Sequence, residues 1–186
     1  MERINVCNFK KSLPIKGKVW MKLGQNLTRE QVLENSDRHF DNLIVDVCSE
    51  LIAEWAFTGL ITTVGEHVPG VLTLAVGTGA GGWDPLNPPA ETSDLVILYS
   101  ELARKQFSDK TYVDEDYNPT TTRTNIVDFT TMFDYAEANG PLVEMGLFGG
   151  DNALLPNGGT RVNAKHFAVL NKSATSQLTI LWRLLF

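Results

Sequence analysis

Residues 178–186 constrain this chain more than any other stretch. Leu178, Ile180, Trp182, Leu184 and Phe186 would share one side of an extended strand, and Thr179, Leu181, Arg183 and Leu185 the other. Both sides are largely apolar, so the strand must be central in its sheet or covered on both faces. A second segment shows the same period with a clearer contrast. Val127, Phe129, Thr131, Phe133 and Tyr135 alternate there with Asp128, Thr130, Met132 and Asp134. Val71 to Val76 is a short apolar run between Gly70 and Gly77 and reads as a buried strand. Asn139-Gly140-Pro141 is a turn leading into a strand over Leu142 to Phe148. Arg161 to Leu170 is a further strand, with Val162, Phe167 and Val169 toward the core. Short strands joined by glycine- and proline-rich connections predict a mainly β chain, an antiparallel β-sandwich of jelly-roll-like type.

Two features would be added to that body. Residues 28–57 read as one long amphipathic helix. Thr28 and Gln31 make a capping-box pattern, and Leu33, Phe40, Leu43, Ile44, Val47, Cys48, Leu51 and Trp55 recur at three- and four-residue steps until Gly59. Residues 1–27 show no sustained period and mix apolar side chains with lysines and glycines, which predicts an extended N-terminal arm. The expected organisation is therefore an arm over 1–27 and a helix-plus-sandwich domain over 28–186. Residues 93–106 suit a short helix opened by Ser93 or Asp94, or a strand through Leu95 to Tyr99, and residues 108–122 read as a polar loop.

Charge narrows the function classes. Lys10, Lys11, Lys16, Lys18 and Lys22 form the one basic concentration in a chain of net charge −6, and the body lacks the basic face that would neutralise phosphates. No nucleic-acid partner is expected, and the lysines read as a solvated arm. No apolar run approaches the roughly 18–20 residues of a membrane span, so no membrane partner is expected either. Cys7 and Cys48 have no metal-ligand spacing.

The motifs that would carry chemistry fail on context. Gly77-Thr78-Gly79-Ala80-Gly81-Gly82 has dinucleotide-loop spacing and follows a strand. The next residues, Trp83-Asp84-Pro85-Leu86-Asn87-Pro88-Pro89, cannot open the helix such a site requires. His39, His67 and His166 share no ligand spacing. The Asp114-Glu115-Asp116 cluster lacks the spaced ligands and glycine of a calcium loop. Glu144 and Asp128 are the strand carboxylates that a glycoside hydrolase would have to set across a cleft. The expectation is a protein without catalytic residues, metal or cofactor.

Five segments, taken in order, carry a resemblance. They are Ala75-Val76-Gly77-Thr78-Gly79, Glu101-Leu102-Ala103-Arg104, the alternating Phe129 to Phe133, Glu144-Met145-Gly146-Leu147-Phe148, and Lys172 followed by Leu178-Thr179-Ile180-Leu181-Trp182. Over about residues 40–186 this order resembles small β-sandwich structural proteins of tailed bacteriophages. The resemblance implies a virion part made in the host cytoplasm: head decoration, neck or collar, or tail or fibre component. It implies as partners further copies of the chain, in a ring or trimer, and other virion proteins. Residues 1–27 have no counterpart in that pattern.

The expected subunit contacts are Cys7, Phe9, Val19, Trp20 and Met21 in the arm and Trp83 in the loop, whereas Trp55 and Trp182 are assigned to the core. The alternative function is a carbohydrate- or receptor-binding module of a tail fibre, with Trp83, Tyr112 and Tyr117 as stacking groups.

Overall fold

In the computed structural model, which describes residues 16–44, 70–114, 116–122 and 126–185, the alternation at the C-terminus is strand β10 (Gln177–Leu185). It lies between β1 (Lys16–Gly24) and β7 (Ile126–Phe133), antiparallel to both. The strands are β1, β2 (Arg38–Ile44), β3 (Val71–Gly77), β4 (Glu101–Gln106), β5 (Asp109–Val113), β6 (Pro119–Thr120), β7, β8 (Gly140–Gly149), β9 (Thr160–Lys172) and β10, with helix α1 (Arg29–Glu34) between β1 and β2. Two antiparallel sheets result: β2-β1-β10-β7-β5-β6 and β4-β3-β8-β9. The brief pairing of Leu43 and Ile44 with Ala164 and Asn163 joins them.

Both sheets feed one apolar core. The first supplies Val19, Met21, Phe129, Phe133, Leu178, Ile180, Trp182 and Leu184, and the second Leu74, Val76, Leu142, Met145, Leu147, Val162 and Phe167. Trp182 is fully buried there, as its place in the alternation predicts. The opposite phase of β10 is also buried: Thr179, Leu181 and Arg183 lie under a second layer, so the strand is covered on both sides as its composition requires.

Part of that layer is α1. Thr28 accepts the Gln31 amide on its hydroxyl, and the Gln31 side chain takes the Thr28 amide at 2.9 Å, which completes the capping box read from sequence. The helix runs only six residues, over Arg29–Glu34, and the expected long helix over 28–57 is not formed. Asn35-Ser36-Asp37 prefers turns, and Asn35 leaves helical geometry. The Asp37 amide then donates to the Met21 carbonyl at 2.9 Å, while the Asp37 carboxylate takes the Leu23 amide at 2.8 Å. These bonds return the chain along β1, and Phe40 pairs with Val19 in a strand. Pairing with a neighbouring strand has overridden a helical spacing of apolar residues. Residues 45–57 and Gly59, with Cys48 and Trp55, lie outside the described residues.

Residues 16–24, read as part of an extended arm, form β1 in the middle of the first sheet. Its inward phase is Gly17, Val19, Met21 and Leu23, and its outward phase Lys18, Trp20 and Lys22. Residues 93–100 form neither the helix nor the strand expected there, and the strand in this region is β4, over Glu101–Gln106. The polar stretch 108–122 contains β5 and β6, turned by Asp114, whose Oδ1 accepts the amides of Asp116 (3.0 Å) and Asn118 (2.8 Å). Among the described residues no helix is long and apolar enough to cross a membrane.

Candidate interaction surface

On the face of the second sheet that points away from the core, strand register lines up three rows. Gly77, Glu144 and His166 form one; Ala75, Gly146 and Ala164 the next; Thr73, Phe148 and Arg161 the third. The middle row is small, so chain can approach closely. Two loops do so, residues 78–100 and residues 150–159, and charged side chains of the sheet hold both by their backbones.

Glu144 is the first clamp. Its Oε1 accepts the amides of Gly79 (3.0 Å) and Ser100 (2.8 Å), and its Oε2 the amide of Tyr99 (2.9 Å). Three charge-assisted bonds fix both ends of the first loop over one fully buried carboxylate. The glycine motif serves this contact. A Cβ at Gly77 would stand 2.6 Å from Glu144 Oε1, and Gly79, with φ +72, turns its amide to the same oxygen.

Arg161 is the second clamp. It is fully buried and donates from Nε to the Leu95 carbonyl (3.0 Å) and from Nη1 to that of Ile97 (2.7 Å). Burial lowers its pKa to about 10, against the opposing fields of Glu144, Tyr99 and Asp94, so it is a cation at neutral pH. Glu144 takes the amides of Tyr99 and Ser100 and Arg161 the carbonyls of Leu95 and Ile97, so side chains of the sheet supply partners to this stretch in place of a helix or ladder.

Beyond its short pairing with β2, the edge of β9 is capped by the same loop. The Val169 amide donates to the Pro85 carbonyl (2.7 Å) and the His166 amide to Glu91 Oε1 (2.6 Å). His166 Nδ1 lies 2.8 Å from the Pro89 carbonyl, and Glu91 pairs with Lys165 at 2.8 Å. Burial pushes the Glu91 carboxyl up, but the Lys165 ammonium and the His166 amide outweigh it and hold the pKa below the ordinary value.

The second loop is held by Arg104 and Thr73. Arg104 Nη1 donates to the carbonyls of Ala153 (2.9 Å) and Gly158 (2.8 Å), and Thr73 Oγ1 also donates to Ala153 (2.9 Å). The Arg104 guanidinium lies 4.0 Å over the Phe148 ring and pairs with Glu101 at 2.6 Å, both partners almost fully buried. Leu98 from the first loop and Ala153 from the second pack with Phe148 and Ala75 in a small apolar cluster, which sets the loops side by side. Around it Val96, Ile97, Tyr99, Leu154 and Leu155 remain between 45% and 58% exposed. An apolar group of this kind on fixed backbone is a candidate binding surface.

The outer face of the first sheet is built differently. Asp128 of β7, fully buried, accepts Arg183 Nε on Oδ1 (2.6 Å) and Arg183 Nη2 on Oδ2 (2.9 Å). Arg29 of α1 adds bonds from Nε (2.9 Å) and Nη2 (2.7 Å) to Oδ2. The Arg183 guanidinium lies 4.6 Å over the Tyr117 ring and 5.1 Å over that of Trp20.

Of the residues expected at subunit contacts, Val19 and Met21 are core side chains, because β1 is a central strand. Trp20 is half-buried against Arg183, and Cys7 and Phe9 lie outside the described residues. Trp83 packs over Gly79, with ring centroids 4.5 Å from His166 and 4.9 Å from Tyr99, at one end of the loop that carries the apolar face. Glu144 and Asp128 project from opposite sides of the shared core, each bound by its own donors, and face no common cleft. His39 is exposed on β2, His67 lies outside the described residues, and no group of three metal-ligating side chains occurs among the described residues. Sequence reasoning overlooked Val96, Ile97, Leu154 and Leu155, although an apolar pair followed by Pro156 in a loop of glycines and asparagines was a usable signal. No family model matches this chain, and no curated protein matches it.

Proposed function

We propose that this chain is a non-enzymatic structural protein of a tailed-phage virion, working as a jelly-roll-like β-sandwich that assembles on the particle at the neck or collar, the tail or the head surface. The observation that carries this reading is the apolar face of Val96, Ile97, Tyr99, Leu154 and Leu155, presented on loops whose backbones are clamped to the sheet. Pre-ordered backbone lowers the entropic cost of association, which suits a subunit that meets its neighbours in one geometry. The charged groups with potential chemistry, Glu144, Arg161, Arg104 and Asp128, are engaged in holding the fold. The five-segment resemblance supplies the virion setting.

The carbohydrate-binding reading gains less from the geometry. Trp83 lies on the outer face of the second sheet, packed edge-on against Tyr99, while Tyr112 is on β5 of the first sheet and Tyr117 stacks on Arg183 above that sheet. Trp83 therefore shares no platform with the two tyrosines.

Immunogold electron microscopy of intact particles, with mass spectrometry of the same preparation, tests the proposal. Gold over the head, neck or tail together with peptides of this chain is the expected result. Particles that yield neither gold nor peptides would overturn it.

A further inference from the structure

We infer that the exposed apolar face of the two clamped loops is the seat for residues 1–15 of a second copy of this chain. The inference rests on the assembly reading and names its partner. The first observation is charge. Residues 78–100 and 150–159 contain four acids, Asp84, Glu91, Asp94 and Asp151, and no lysine or arginine. Glu91 is neutralised by Lys165, and the other three make no ion pair among the described residues, so the two loops that carry the apolar side chains bear net negative charge. Residues 1–15 have the opposite character: Arg3, Lys10 and Lys11 against Glu2, interspersed with Ile4, Val6, Phe9, Leu13 and Ile15. A basic and apolar segment complements an acidic and apolar face in both respects.

The second observation is reach. The segment precedes Lys16, where β1 enters the middle of the first sheet. A stretch of fifteen residues can span at most about 50 Å. Segment and face are different surfaces of one chain, so the contact is heterologous and closes into a ring when the rotation between copies permits. The clamped loops offer the segment a fixed template, so no cost of ordering the loops is added to the contact.

The test uses the full chain in solution. Sedimentation velocity at rising concentration should show association. The pair Ile97→Asp and Leu155→Asp, on exposed positions of the face, should weaken it at least tenfold. Lys10→Glu with Lys11→Glu should do the same from the segment side. Adding Asp94→Lys and Asp151→Lys to that second pair should restore association, an outcome that misfolding cannot produce. Circular dichroism verifies that each variant keeps its β signature. Zero-length carboxyl–amine crosslinking of mixed heavy- and light-isotope copies should join Lys10 or Lys11 of one copy to Asp94 or Asp151 of another. A chain monomeric at every concentration, association indifferent to either pair, failure of the charge swap, or crosslinks confined to single copies would each overturn the inference. These readouts use purified chain, whereas the virion reading is decided on particles, so the two fail separately.

Discussion

The outer faces of the two sheets each bury a carboxylate, and they satisfy it in opposite ways. On the first sheet, Asp128 is met by the side chains of Arg183 and Arg29, so charge closes on charge and α1 is drawn down to place Val32 against the sheet. On the second sheet, Glu144 is met by three backbone amides, while Arg161 and Arg104 reach backbone carbonyls. When a sheet holds a loop by its backbone, the side chains of that loop stay free. Val96, Ile97, Leu154 and Leu155 therefore stay exposed on the second sheet, and among the described residues the outer face of the first presents no comparable aliphatic group. One arrangement closes a surface and the other displays one.

The contrast can be broken from the second side with the largest effect. Glu144→Ala would leave three amides without their acceptor, each worth about 1–3 kcal/mol when buried, so a loss of about 4 kcal/mol is expected in urea unfolding. Amide exchange should quicken at Gly79, Tyr99 and Ser100 ahead of the core. Stability within 1 kcal/mol of the parent would mean that the loops hold without the clamp.

On the first side, Asp128→Ala strands the buried Arg183 beside Arg29, and a loss of about 3 kcal/mol is expected. Replacing Asp128 and Arg183 together with leucines should cost less than Asp128→Ala alone, because Arg183 no longer stays buried without a carboxylate, while Arg29 keeps Glu30 at 3.9 Å and the Tyr117 carbonyl. A double variant weaker than the single one would show that the pair contributes more than mutual neutralisation.

Thr28→Ala removes the cap of α1 and should cost about 1 kcal/mol by thermal unfolding. Exposure of the second-sheet loops, read by limited proteolysis within residues 78–100, should not change, since α1 covers the other face.

The smallest expected effect is a response to acid. The Glu91 carboxyl titrates below its ordinary value of 4.5 because Lys165 and the His166 amide favour the anion over the penalty of burial. Its contribution is complete above that value and is lost as pH falls through the lower folded value. Amide exchange at Val169 and His166, which the loop caps, should rise over that window in the parent and much less in Glu91→Gln. Equal responses would place the acid-sensitive group elsewhere. Asp134, lowered chiefly by the Tyr135 amide, and Glu137, lowered chiefly by Lys105, titrate in the same direction at another site and provide the internal comparison.

The apolar face shows where reading along the chain stops. Val96 and Ile97 sit in a run, Leu95 to Leu98, that suits a helix or a strand equally well. What decides against both lies far away in sequence: Glu144 is 44 residues from Ser100 and 65 from Gly79, and Arg161 is 64 from Ile97. No local period records such partners. β1 is a different case, because Lys18, Trp20 and Lys22 alternate with Val19, Met21 and Leu23 in plain view. The scattered lysines and glycines around them hid the period, and an arm was expected where a central strand lies. The contact residues placed in that arm moved with it, Val19 and Met21 into the core and Trp20 onto Arg183.

By itself the sequence determined the β character of the chain, the positions of β3, β7, β8, β9 and β10, the double cover over β10 and the capping box at Thr28. Each depends on side chains within a few residues of one another, whose alternation or spacing settles which face is buried. Tertiary structure alone decided that residues 38–42 pair with β1 instead of extending α1, that residues 93–100 follow an irregular path, and that an apolar group faces outward. Those outcomes turn on hydrogen bonds between segments distant in sequence, and such bonds override local preference because a backbone amide or carbonyl removed from water must find a partner wherever the fold supplies one.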